Sequence, residues 1–160
     1  MLKRKFLISS LINYIKGRYW IMNNKAAKFQ EYLTANKITG FNQEEFSDEF
    51  HTVMFRSRIV IKGQEIPMAI ILDDSIYRMI RIQLVSSVEN TTEVVSYLNK
   101  LNAKYKSYKF YLTEQNNLIL DSCIMGKDED ESEVIIAVLN NIIKQMQDEY
   151  SDLMHVVWSK

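Results

Sequence analysis

One cysteine, one proline and four glycines are all that this 160-residue chain holds of the residues that staple or punctuate folds. Cys123 has no second cysteine to pair with, so no disulfide can close within the chain, and a reducing cytoplasm is the expected location. The scarcity of proline and glycine excludes collagen-like repeats, long linkers and low-complexity tails. Charge of one sign is missing too: 20 basic and 20 acidic residues cancel. A chain balanced in this way has no general field for gathering nucleic acid, and no nucleic-acid partner is expected. Apolar runs stay short, well below the roughly 18 residues of a membrane-spanning helix. No glycine-rich phosphate loop, GxSxG elbow or HExxH pair occurs, so no cofactor motif is present and no enzyme is expected.

What is there is enough for a core. Apolar residues make up 47% of the chain, and a domain of this length buries roughly 70% of the surface its unfolded chain exposes. The zero net charge hides an asymmetry. Residues 1–21 carry Lys3, Arg4, Lys5, Lys16 and Arg18 and no acid, whereas the remainder holds 15 basic residues and all 20 acids. The chain therefore divides into a basic extension, 1–21, and a domain, 22–160.

The extension opens like a secretory signal, with Lys3-Arg4-Lys5 before Phe6-Leu7-Ile8, but Ser9, Ser10, Asn13 and Lys16 interrupt it and no small-residue cleavage site follows. On a helical wheel Lys5, Ser9, Asn13 and Lys16 form a narrow polar stripe, with Leu7, Leu11, Tyr14 and Ile15 on the other side. This is the pattern of an amphipathic helix. Three roles are open to it: binding an anionic membrane surface, docking on the body or on a second subunit, or a peripheral extension.

From Asn24 the periodicity predicts the order α-βββ-α-ββ-α. Ala26, Phe29 and Leu33 give a short helix ending near Asn36, and Asn42-Gln43-Glu44-Glu45 reads as a loop. Strands are expected over 46–61, 66–72 and 76–85, joined by short turns as an antiparallel meander. In the third, Tyr77 and Met79 alternate with Arg78 and Ile80, then Ile82 and Leu84 with Arg81 and Gln83, a change of phase that suggests a bulge. A helix capped at Asn90 or Thr91 carries Val94, Leu98, Leu101 and Tyr105 on one face. A hairpin over 109–113 and 118–124 follows, then an acidic loop and a last helix over 131–150. The class is α+β, an antiparallel sheet with helices.

Candidate chemistry is thin. His51 and His155 lie far apart in sequence, the second in an expected C-terminal tail, and no metal site is predicted from them. Cys123, among Leu118, Ile119, Leu120 and Ile124, reads as a small buried hydrophobe. Arg56, Arg58, Arg78 and Arg81 read as a solvated sheet face or part of a protein interface.

One segment resembles a known family. Val94-Val95-Ser96-Tyr97-Leu98-Asn99-Lys100-Leu101-Asn102-Ala103-Lys104-Tyr105, continued by Lys109-Phe110-Tyr111-Leu112 and the hairpin to Leu118-Ile119-Leu120, is similar to the YbjN-like family of bacterial sensory transduction regulators. The resemblance implies a type III secretion chaperone-like fold, preceded here by an extra N-terminal helix. It also implies a non-enzymatic, protein-binding role, often as a homodimer, with an unidentified protein partner. Tyr77, Met79, Ile82, Tyr97 and Trp158 are the expected surface contributors. The alternative is an accessory protein recruited to a membrane surface through residues 1–21.

Overall fold

The computed structural model describes residues 23–127 and 131–159; the expected N-terminal helix lies outside them. Helix α1, Asn24–Ala35, starts where Asn23 accepts a hydrogen bond from the Ala26 N–H at 2.8 Å, an N-cap that satisfies a free donor of the first turn. The chain then forms strands β1 (Asn42–Glu45), β2 (Val53–Ile61), β3 (Gln64–Leu72) and β4 (Tyr77–Val85), helix α2 (Thr91–Lys104), strands β5 (Lys109–Leu112) and β6 (Leu118–Met125), and helix α3 (Ser132–Trp158). The strands make one six-stranded antiparallel sheet in the order β1-β2-β3-β4-β6-β5. The β2–β3 turn is tight because Lys62 and Gly63 both take positive φ, 50° and 77°, which suits the twist of a two-residue hairpin.

The α+β class and the expected order hold, with one strand more. Asn42–Glu45 is a strand, not a loop: it pairs with β2 from Asn42↔Arg56 to Glu45↔Val53, and all four residues are exposed. The segment 46–52 before β2 is the loop instead.

The three helices among the described residues lie on one face of the sheet. Phe29 of α1 meets Phe55 of β2 edge-to-face at 4.9 Å. Helix α3, about 40 Å long at 1.5 Å per residue, packs on β2, β4 and the other two helices. Its buried residues Ile135, Leu139, Ile142, Met146, Glu149, Leu153 and Val157 recur at three- and four-residue spacing. The stripe continues at Leu153 and Val157, which is why the helix runs past Tyr150; His155 and Trp158 are helical, not tail. On the sheet, Phe55, Ile61, Ile70, Leu72, Ile80, Ile82, Leu118 and Leu120 complete the core.

Two expectations about β4 are corrected together. Arg78, Ile80, Ile82 and Leu84 all face the helices, so there is no change of phase at Met79–Ile82. The irregularity in register falls instead between Gln83 and Val85. Arg78 was the misleading residue: it is buried, 2% exposed, because Glu131 lies 3.1 Å from its Nε and its Nη1 donates to the carbonyls of Ile76 and Gly126. A buried arginine with such partners can occupy an apolar phase. Ile82 is fully buried for the same geometric reason and is not a surface contributor.

Candidate functional site: the open sheet face

Strand alternation sends every second side chain of the sheet away from the helices. The register aligns these residues in rows. Glu44, Met54, Ile71, Met79 and Cys123 stand side by side across β1, β2, β3, β4 and β6. The next row holds Asn42, Arg56, Ala69, Arg81, Asp121 and Lys109, and Tyr77 opposes Met125 at the rim. An apolar strip of Met54, Ile71 and Met79, continued by Cys123, therefore crosses the middle of the face. None of the described helices covers it. Tyr77 and Met125 are 46% and 67% exposed, which is high for large apolar groups.

The strip runs into a shallow depression of about 560 Å³, whose walls include Ile71, Asp73, Tyr77, Met79, Asp121 and Cys123. One wall is rigid. Arg81 donates from Nε and Nη2 to the two oxygens of Asp121, at 2.9 and 2.8 Å, and the Tyr111 hydroxyl donates to Asp121 Oδ2 at 2.8 Å. Such a bidentate, charge-assisted pair fixes both side chains. Cys123 is exposed here rather than buried, which corrects its expected place. Partial desolvation pushes its thiol pKa up, so at neutral pH it is held as the thiol.

The expected arginine face divides. Arg56, Arg58 and Arg81 point to the open side, each beside a carboxylate: Glu44 at 2.7 Å, Glu65 at 3.9 Å and Asp121. Arg78 points the other way. The five expected surface contributors fall in four places. Tyr77 and Met79 meet on the open face, Ile82 is in the core, and Tyr97 packs half-buried on the core from α2. Trp158, 65% exposed, ends α3 beside Tyr150, Met154 and Leu84. Met54, Ile71, Cys123 and Met125 went unpredicted; they become neighbours of Met79 and Tyr77 only through register, which joins strands distant in sequence.

The two sheet edges differ. At β5 the Asn102 side chain of α2 donates to the Phe110 carbonyl at 3.0 Å and accepts from the Phe110 N–H at 2.7 Å. It thereby occupies the groups that an added strand would use. At β1 the edge is four residues long and carries Glu44 and Glu45, a charged edge of the kind that discourages pairing. Both edges are thus guarded, whereas the apolar strip on the face lies under none of the described helices.

His51 and Asp74 form an exposed pair, Nδ1 to Oδ2 at 2.6 Å, in the loops at one end of the sheet. Among the described residues no group of three or more His, Cys, Asp or Glu could hold a metal ion. Nor is any described helix long and apolar enough to cross a membrane. No protein-family model matches the chain, and no curated protein matches it.

Proposed function

We propose that this chain is a non-enzymatic protein-binding module, a regulator or chaperone-like adaptor, which binds through the open face of its sheet and takes a second copy of itself there as a homodimer. One observation carries the reading: among the described residues three helices share one face, and the other keeps an apolar strip of Met54, Ile71 and Met79 beside exposed Tyr77 and Met125. Burying such a strip against a partner removes apolar area from water, and the fixed Arg81–Asp121–Tyr111 cluster beside it supplies orientation. Methionines suit this use, because their flexible, polarizable side chains adapt to varied partners. The finer fold assignment belongs to the same proposal. The type III secretion chaperone-like arrangement is supported by the element order, with β1 as an added edge strand.

Size-exclusion chromatography with light scattering on the full chain and on Met79→Glu tests the reading. A dimer that the substitution splits, with an unchanged urea unfolding curve, is the expected result. A dimer that survives Met79→Glu would place the interface elsewhere. Monomer at every concentration would remove the homodimer from the reading.

A further inference from the structure

We propose that the depression on the open face is a site for a medium-chain carboxylate, its chain on the apolar floor and its head at Lys106 and Lys109; this rests on the reading of that face as a binding surface. The floor is built by register. Ile71, Met79 and Cys123 stand in one row on β3, β4 and β6, and Tyr77 stands at the rim, 46% exposed. The space they help to bound, about 560 Å³, falls within the roughly 300–1,000 Å³ of small-molecule sites. An aliphatic chain suits such a floor, since methionine adapts its shape to what it covers.

Charge around the floor is uneven. Among the described residues that line it, the acids are Asp73 and Asp121, and each is already compensated. Asp121 takes both donors of Arg81 and the Tyr111 hydroxyl, while Asp73 has Lys25 Nζ at 3.8 Å and accepts from the Ser75 N–H at 2.9 Å. Lys106 and Lys109 also line the depression, both exposed, and neither has a carboxylate partner among the described residues. Two positive charges are therefore left over beside an apolar floor. The chain between them is anchored, because the Ser122 hydroxyl of β6 donates to the Ser107 carbonyl at 2.6 Å. Desolvation raises the pKa of the Cys123 thiol and the Lys109 ammonium opposes that rise, so the lysine's charge is felt at the floor itself.

The head that these charges suit is a carboxylate. No arginine and no helix N-terminus is among the described residues that line the depression, so a phosphate finds neither a guanidinium fork nor a cluster of free backbone N–H groups there. Lysine ammonium groups act as point charges on flexible stems and ask no fixed geometry of the anion. The site shares its face with the second copy proposed above, so carboxylate and dimer compete by mass action.

Isothermal titration of the full chain with decanoate tests the site, with decylammonium carrying the same chain under the opposite charge and acetate carrying the charge alone. The expected result is saturable binding of decanoate, about tenfold tighter than decylammonium, and none of acetate. Octanoate should bind about three- to tenfold more weakly than decanoate, as two methylenes leave the floor. Lys106→Glu/Lys109→Glu should reverse the preference between the two ions, and Cys123→Phe, which fills the floor, should weaken both. Equal affinity for decanoate and decylammonium, or binding that neither variant alters, would overturn the proposal in favour of detergent-like uptake. A dimer split by Met79→Glu, in a chain that takes up no decanoate, removes the site and keeps the face as a protein-binding surface. Decanoate held by a chain that is monomer at every concentration keeps the site and removes the homodimer. Where both are present, saturating decanoate should shift light scattering towards monomer, and a dimer unmoved by it would overturn the placing of the carboxylate on this face.

Discussion

Arg78 and Glu131 show how much one residue can hold in place. The arginine is 2% exposed; its Nη1 donates to the Ile76 and Gly126 carbonyls, and Glu131 lies 3.1 Å from its Nε. The carboxylate is an ion-pair partner there rather than an aligned hydrogen-bond acceptor, since Glu131 Oε2 makes no hydrogen bond. The arrangement depends on Gly126. A Cβ on that residue would stand 1.7 Å from Glu131 Oε1 and 2.3 Å from its Cδ, so a side chain there makes the carboxylate shift from its present place. Breaking a buried pair by removing one partner costs about 3–5 kcal/mol, because the other charge is left unpaired. Arg78→Ala is expected to lose about that much in urea unfolding. Gly126→Ala and Glu131→Gln act on the same pair, so their double variant should fall well short of the sum of the single losses.

At the scale of elements, α2 and α3 are clasped by a charged group inside their seam. Glu149 of α3 is buried and accepts from Lys104 Nζ and, at 2.5 Å, from the Tyr105 hydroxyl at the end of α2. The lysine hydrogen bond, then that of the tyrosine, holds the Glu149 carboxyl below its ordinary 4.5, against the opposing effect of burial. A carboxyl whose folded pKa is depressed contributes stability above its unfolded pKa and loses it as pH falls through the folded one. Stability measured against pH should therefore fall below 4.5, and Glu149→Gln should be less stable at neutral pH with a flatter acid limb.

Elements also show what was readable from the chain. Helices α1 and α2 announce themselves through Ala26, Phe29, Leu33 and Val94, Leu98, Leu101, because each buries one face at helical spacing. Strand β1 does not: Asn42-Gln43-Glu44-Glu45 has no buried side chain and exists only through its ladder with β2. Tyr77 and Met79 were legible as one face of a strand. Ile82 was misplaced because Arg78 looked like a solvent residue, and that false anchor inverted the phase after Ile80. The rest of the apolar strip depends on register between distant segments, which no local pattern encodes.

The whole molecule must keep its sheet from growing while leaving a face open. A six-stranded open sheet has two edges, and any unpaired N–H and C=O there can template another chain. The β1 edge relies on brevity and on Glu44 and Glu45. The β5 edge, Lys109-Phe110-Tyr111-Leu112, is far more prone to pairing by composition, with two aromatics and no acid. There Asn102 substitutes for a neighbouring strand, its amide matching both polar groups of Phe110. Asn102→Ala frees both groups, at a cost of about 1–2 kcal/mol. It should also make the protein form higher assemblies that Met79→Glu does not suppress, because they grow at the edge and not on the face. Asn102→Asp keeps the acceptor but loses the donor to the Phe110 carbonyl, so it should lose stability as well. Light scattering over time at fixed temperature, on Asn102→Ala with and without Met79→Glu, separates the two surfaces. If Met79→Glu abolished the growth, the edge would not be its origin, and the face alone would govern assembly.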